Sequence, residues 1–298
     1  MAKRVLILSG GGAKGSLQIS CIHSLFKDKA YLYPLYNLMV GSSVGAINSS
    51  LLALGEKQLY KIFNDYNDML RYIFTKKAWY KFPKTPIYDR KRFVEVWEIL
   101  NGFNIKLGDV KTKLIITSYE RMEGRTKFFK SWEEKDGQGK ITDYICRSFA
   151  APMYFGQLVD DVNKKVWFDG GMSYYNLPAI PAIIEALLQN WLEEEIHFDI
   201  IGCGHYDKPQ NFKDVSNDKL IGQLMGFFAP AKGGIAREES ATDQIGILQK
   251  LGSTFKNIHL KYYDIGITEK MEGMDKIDCL DLYTEYGKRM AIKPVIEF

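Results

Sequence analysis

Two glycine-punctuated turns near the start of this chain leave it few ways to fold: Ser9-Gly10-Gly11-Gly12-Ala13-Lys14-Gly15 and Gly41-Ser42-Ser43-Val44-Gly45. Each follows an apolar run that reads as a buried strand, Val5 to Leu8 in one case and Leu38 to Val40 in the other. Each precedes a run with helical periodicity, over 15–29 and 44–54. Strand, turn, helix, twice over, predicts an α/β fold with a central, mostly parallel sheet flanked by helices. A chain of 298 residues that is 46% hydrophobic can bury the core such a sheet needs.

The second turn has the spacing of a nucleophile elbow, with Ser43 at the apex. Gly41 and Gly45 stand two residues to either side, where a Cβ would meet the neighbouring strand or helix. The first turn supports three readings. Gly10, Gly12 and Gly15 fit a dinucleotide fingerprint, but that reading wants an acid at the end of the next strand, and none stands between Asp28 and Glu56. A phosphate-binding P-loop needs Gly-Lys-Ser/Thr, whereas the order here is Lys14-Gly15-Ser16. The third reading is an oxyanion hole, in which N–H groups of Gly10, Gly11 and Gly12, with Val44 of the elbow, face developing negative charge. We prefer it because it alone also explains the serine turn.

A serine hydroxyl needs a base. Of the four histidines, His23 falls inside a helix, His197 just before a strand and His259 within an apolar strand; His205, after a strand and a glycine, stays a candidate. Asp169 is the better one. It ends the strand Lys165-Val166-Trp167-Phe168, and Gly170-Gly171 permits a sharp turn that leaves its carboxylate at the sheet edge, although a plain hairpin turn would read the same way.

Taken together and in order, Gly10 to Gly15, Gly41 to Gly45 and Asp169-Gly170-Gly171 resemble the patatin-like phospholipase family. The likeness extends to Arg147-Ser148-Phe149-Ala150-Ala151-Pro152 and to Asn176-Leu177-Pro178, and covers residues from about 4 to 204. Lys14 stands where many members carry arginine, and Cys203 interrupts the glycine run of a later strand. The resemblance implies a three-layer α/β/α core over 1–204 with a mostly helical part over 205–298. It implies hydrolysis of phospholipid acyl esters through an acyl-enzyme, with Ser43 as nucleophile, Asp169 as base, the glycine loop as oxyanion hole, and Lys14, Gly15, Gly41, Gly45, Gly170 and Gly171 as motif residues. No cofactor and no metal is implied. Two alternatives are a membrane-degrading effector gated by a ligand or partner, as in antiviral defence systems of similar architecture, and a histidine-assisted esterase acting on another ester.

Partners follow from charge and aromatic patterning. Net charge of +4 gives no reason to expect nucleic acid. Between Arg71 and Arg92, eight basic residues are interleaved with Trp79, Tyr80, Phe82 and Tyr88 against the single acid Asp89. This is either a solvated loop or a patch for peripheral contact with an anionic membrane surface. The N-terminal apolar run is too short for a signal peptide and no run reaches membrane-spanning length, so the expectation is a cytoplasmic protein. Four scattered cysteines read as buried free thiols, with no His/Cys cluster at metal-binding spacing.

Overall fold

In the first strand Val5 and Ile7 face one side and Leu6 and Leu8 the other, and all four are fully buried. That is how a central strand reads when helices cover both faces of a parallel sheet. The computed structural model describes residues 2–77, 85–205 and 235–298. In chain order the elements are β1 (Lys3–Leu8), α1 (Gly15–Leu25), β2 (Leu38–Ser42), α2 (Val44–Leu54), α3 (Leu59–Ile73), α4 (Arg90–Asn101), β3 (Lys113–Glu120) and β4 (Arg125–Lys130). There follow α5 (Glu134–Gly137), α6 (Ile141–Ser148), β5 (Leu158–Asp160), β6 (Lys165–Asp169), α7 (Ala179–Leu188) and β7 (Ile196–Ile201). The chain ends with α8 (Ile235–Thr254), β8 (Ile258–Tyr263), α9 (Leu280–Met290) and β9 (Ile296–Glu297).

The sheet runs β5-β6-β3-β2-β1-β7-β8-β9, with β4 paired to β3. Strands β3, β2, β1, β7 and β8 are parallel, so the expected α/β sheet is present. On one face Val5, Ile7, Leu38 and Val40 pack with Ala182 of α7 and with Ile245 and Leu248 of α8. On the other, Leu6, Leu8 and Met39 pack with residues of α1, α2 and α3 and with Leu280 and Tyr283 of α9.

One topological feature decides where the chemistry sits. Strand β2 pairs with β3 from Lys113 to Thr117, and β6 pairs with β3 from Ser118 to Glu120. Because β4 pairs with β3 across Ile115 to Glu120, it occupies the opposite edge from both. Strands β2 and β6 therefore share one edge of β3 and meet end to end: Ser42 lies opposite Thr117, and Asp169 opposite Ser118.

The C-terminal region contributes to the same sheet. Strand β8 extends it beyond β7 in parallel register, and α9 lies on α1, where Gly287 sits too close to the Leu17 carbonyl for any Cβ. Of the aromatic and basic stretch, residues 78–84, with Trp79, Tyr80 and Phe82, lie outside the described residues. In its described part Arg71, Tyr72, Lys76 and Lys91 are exposed, whereas the segment at Tyr88 and Arg90 turns inward. Tyr88 is fully buried, and the half-buried Arg90 guanidinium donates to the carbonyls of Phe155 and Gly156. No described helix is long and apolar enough to cross a membrane. All four cysteines are buried and outside any disulfide, and burial pushes the Cys146 thiol up to about 12.

Candidate active site

Ser43 occupies the turn from β2 into α2 with φ 53° and ψ −121°, a conformation that non-glycine residues hold only when their surroundings impose it. Those surroundings are the two glycines. A Cβ on Gly41 would collide with the Gly45 carbonyl, and one on Gly45 with the Leu8 carbonyl, so only the bare main chain lets α2 leave β2 this sharply beside β1. The Ser43 N–H donates to Ser148 Oγ at 2.8 Å, which fixes the turn to the end of α6.

Asp169 ends β6 opposite this turn. Its N–H donates to the Ala150 carbonyl at 3.1 Å, and its Oδ1 accepts the Gly171 N–H at 2.7 Å. Gly170–Met172 forms a 3₁₀ turn rather than a hairpin, with Gly170 pressed against the Thr117 carbonyl. The remaining oxygen, Oδ2, accepts the Ser43 hydroxyl at 2.7 Å, joining two residues 126 positions apart. Both are almost fully buried.

The glycine loop leaves β1 beside this pair. Gln18 of α1 holds its base by donating to the carbonyls of Ser9 and Ile201, and Asn48 and Tyr66 extend that buried network to α2 and α3. The Gly10 N–H is engaged by the Asn176 carbonyl at 3.0 Å, which corrects its expected place among the oxyanion donors: a donor held by main chain cannot also face substrate. Gly12 opens a 3₁₀ turn that ends at the half-buried Lys14, and Val44 is the first residue of α2, so neither N–H has an intrahelical acceptor. Gly12 and Val44 line the cavity with Ser43 and Asp169. Gly11 lies over Cys203, which leaves no space for a Cβ there; Gly15 packs against Val44 and Tyr66. Gly12 has φ 63°, and a Cβ on it would strike the Met274 carbonyl.

That carbonyl comes from a region without a recognisable motif. It accepts the Ala13 N–H at 2.7 Å, while Oδ2 of the next residue, Asp275, accepts the Tyr88 hydroxyl at 2.6 Å. Met274 and Asp275 thus join the glycine loop to the opposite wall. Burial and the bond to Asp275 hold the Tyr88 phenol above its usual range, and burial and the Asp275 charge raise Tyr154 as well, so both hydroxyls stay protonated.

Above the serine lies a cleft, open to solvent, whose walls are apolar: Ile47, Leu70, Ile73, Phe74, Phe149 and Phe155. No histidine is among its lining residues. His23 stacks on Phe63, with burial and then Lys288 lowering its pKa; His205 Nδ1 lies 3.1 Å from Asp264 Oδ2; His197 and His259 stack on each other at the other end of the sheet. Sequence reasoning passed over Ser148, Ala150, Gln18 and Met274. Ser148 and Ala150 lie within the alanine-rich segment that carries the resemblance; Gln18 and Met274 carry no sequence signal.

A family model described as patatin-like phospholipase matches residues 6–183. A protein of Vibrio cholerae named cGAMP-activated phospholipase is 26% identical over 191 residues, covering 57% of this chain and 54% of the relative. One of the same name from Escherichia coli is 27% identical over 212 residues, covering 66% and 58%. The chain thus spans little more than half the length of the curated relatives it matches. Among solved structures, VipD from Legionella pneumophila aligns with a TM-score of 0.44 and 12% identity, over 95% of this chain and 67% of that one.

Proposed function

The chain belongs to the patatin-like phospholipase family, and from that premise we propose that it hydrolyses acyl esters of membrane phospholipids, with Ser43 as nucleophile and Asp169 as its base. The observation that carries this reading is the 2.7 Å Ser43–Asp169 hydrogen bond at the floor of an apolar cavity. Asp169 takes the hydroxyl proton as Ser43 Oγ attacks the ester carbonyl. The negative oxygen that forms is held by N–H groups of Gly12 and Val44, with Gly11 adjacent. The alcohol or lysolipid departs with the proton from Asp169, leaving an acyl-enzyme. Water, deprotonated by the same carboxylate, then releases the fatty acid and restores Ser43. The apolar walls accommodate the acyl chain. No step uses an imidazole, and the cavity lining, which has none, speaks against a histidine-assisted esterase.

The test joins covalent labelling to turnover. A fluorophosphonate probe should modify Ser43, located by peptide mass, and fatty-acid release from mixed phospholipid vesicles should disappear in Ser43→Ala and Asp169→Asn. Equal release by all three proteins would end the reading.

A gated version of the same chemistry has specific support. The glycine loop is tied through Ala13 to Met274, in a region past the catalytic motifs, so whatever displaces that region also displaces an oxyanion donor. The curated relatives are named as cGAMP-activated, and the ligand class we propose for this chain is a cyclic dinucleotide. Vesicle hydrolysis measured with and without cGAMP decides it: equal rates in both would remove this ligand. Peripheral contact with an anionic membrane belongs to the same proposal and predicts co-sedimentation with anionic, but not zwitterionic, vesicles.

A further inference from the structure

His197 and His259 are register partners on the parallel strands β7 and β8. Register partners point to the same face about 4.8 Å apart, and these two imidazoles stack with centroids 4.7 Å apart and planes 23° from parallel. Glu195, just before β7, reaches both: its Oε1 lies 3.1 Å from His197 Nε2 and 3.4 Å from His259 Nε2. One ligand atom from each of the three falls within 4.8 Å of the others, and all three side chains are partly open to solvent. Neighbouring cations are already paired, Lys3 with Glu194, Arg4 with Asp199 and Lys261 with Glu297, so they oppose an incoming dication less than free charges would.

We propose that Glu195, His197 and His259 form a binding site for a divalent first-row transition ion of the Zn²⁺ or Cu²⁺ class. Two imidazoles and a carboxylate suit such ions, and Ca²⁺ or Mg²⁺ would want an oxygen shell that this site lacks. Imidazole and carboxylate ligands sit about 2.0–2.2 Å from zinc. The present separations close to that by rotation of exposed side chains, with water completing the shell. The site lies at the N-terminal end of β7, whereas the serine turn and glycine loop leave the C-terminal ends of β2 and β1. Along β7 alone, the four steps from His197 to Ile201 span roughly 13 Å. A bound ion therefore takes no part in ester hydrolysis. It cross-links β8 to β7 and so fastens to the sheet the strand from which the chain runs on to Met274. In the sequence the three residues show no metal-binding spacing; the register of two strands creates the cluster.

The test uses tag-free, chelator-stripped protein and ZnCl₂ alone, by titration calorimetry and thermal melting. The wild type should bind one equivalent, and zinc should raise its melting midpoint by several degrees. His197→Ala and His259→Gln should each weaken binding at least about tenfold and abolish the zinc-dependent shift. Melting without metal shows that each variant is folded; should His197→Ala fail to fold, His259→Gln and Glu195→Gln carry the test. The double variant His197→Ala/His259→Gln keeps His23, His205 and all four thiols. If it binds zinc as tightly as the wild type, or the wild type does not bind, the proposal is overturned.

Discussion

The floor of the candidate site and its mouth are held in place differently. On the floor, Ser43, Asp169 and the glycine loop are anchored through their own main-chain N–H groups, Ser43 to Ser148 Oγ, Asp169 to the Ala150 carbonyl and Gly10 to the Asn176 carbonyl, with glycines wherever a Cβ would collide. In the walls leading to the mouth, Phe74 and Phe155 are placed by side-chain packing, with the buried Tyr88 and its partner Asp275 behind them. Main-chain positions follow from strand register and cannot drift without breaking the sheet, whereas side-chain positions can relax. The floor should therefore tolerate almost no substitution and the mouth should yield graded effects.

The largest effects come from the floor. Ser43→Ala should lower vesicle hydrolysis about 10⁴-fold or more, and Asp169→Asn about as much, with melting midpoints near wild type because neither changes the volume filled. A melting midpoint lowered in step with the activity would place the two residues in the packing instead of the chemistry. Gly12→Ala should lower kcat about 10²- to 10³-fold, since its Cβ and the Met274 carbonyl cannot share one place and an oxyanion donor moves. A rate within threefold of wild type would show that the Met274 contact is not part of the active geometry.

Mouth and walls should respond less. Ala151→Leu, which fills part of the cavity, should lower kcat/KM about tenfold for long-chain esters while sparing a short-chain nitrophenyl ester; equal losses on both would mean that acyl chains lie elsewhere. Tyr88→Phe, which removes the bond to Asp275, should cost about threefold to tenfold in kcat, the scale of one ordinary hydrogen bond. A loss as large as that of Gly12→Ala would erase the distinction between floor and mouth.

What could be read in advance follows the same division. Strands β1, β2 and β6 stand where the apolar runs before the two glycine turns and before Asp169 predict them, and β8 where His259 is read within an apolar strand. Helix α2 spans 44–54 as its periodicity predicts, whereas α1 stops at Leu25, short of residue 29. The short edge strands β5 and β9 carry no pattern long enough to register. The sequence places Gly10 with the oxyanion donors because a glycine run does not reveal which of its N–H groups another carbonyl already holds.

By itself the sequence determined the local chemistry: which turns must be glycine, which hydroxyl stands at a sharp apex, and which carboxyl ends a strand, because these depend on sterics within a few residues. Tertiary structure alone decided that β2 and β6 meet end to end on β3, that Met274 caps the glycine loop, and that two histidines stack across β7 and β8. Those outcomes depend on strand order and register, which are set by the burial of the whole sheet and leave no mark on neighbouring residues.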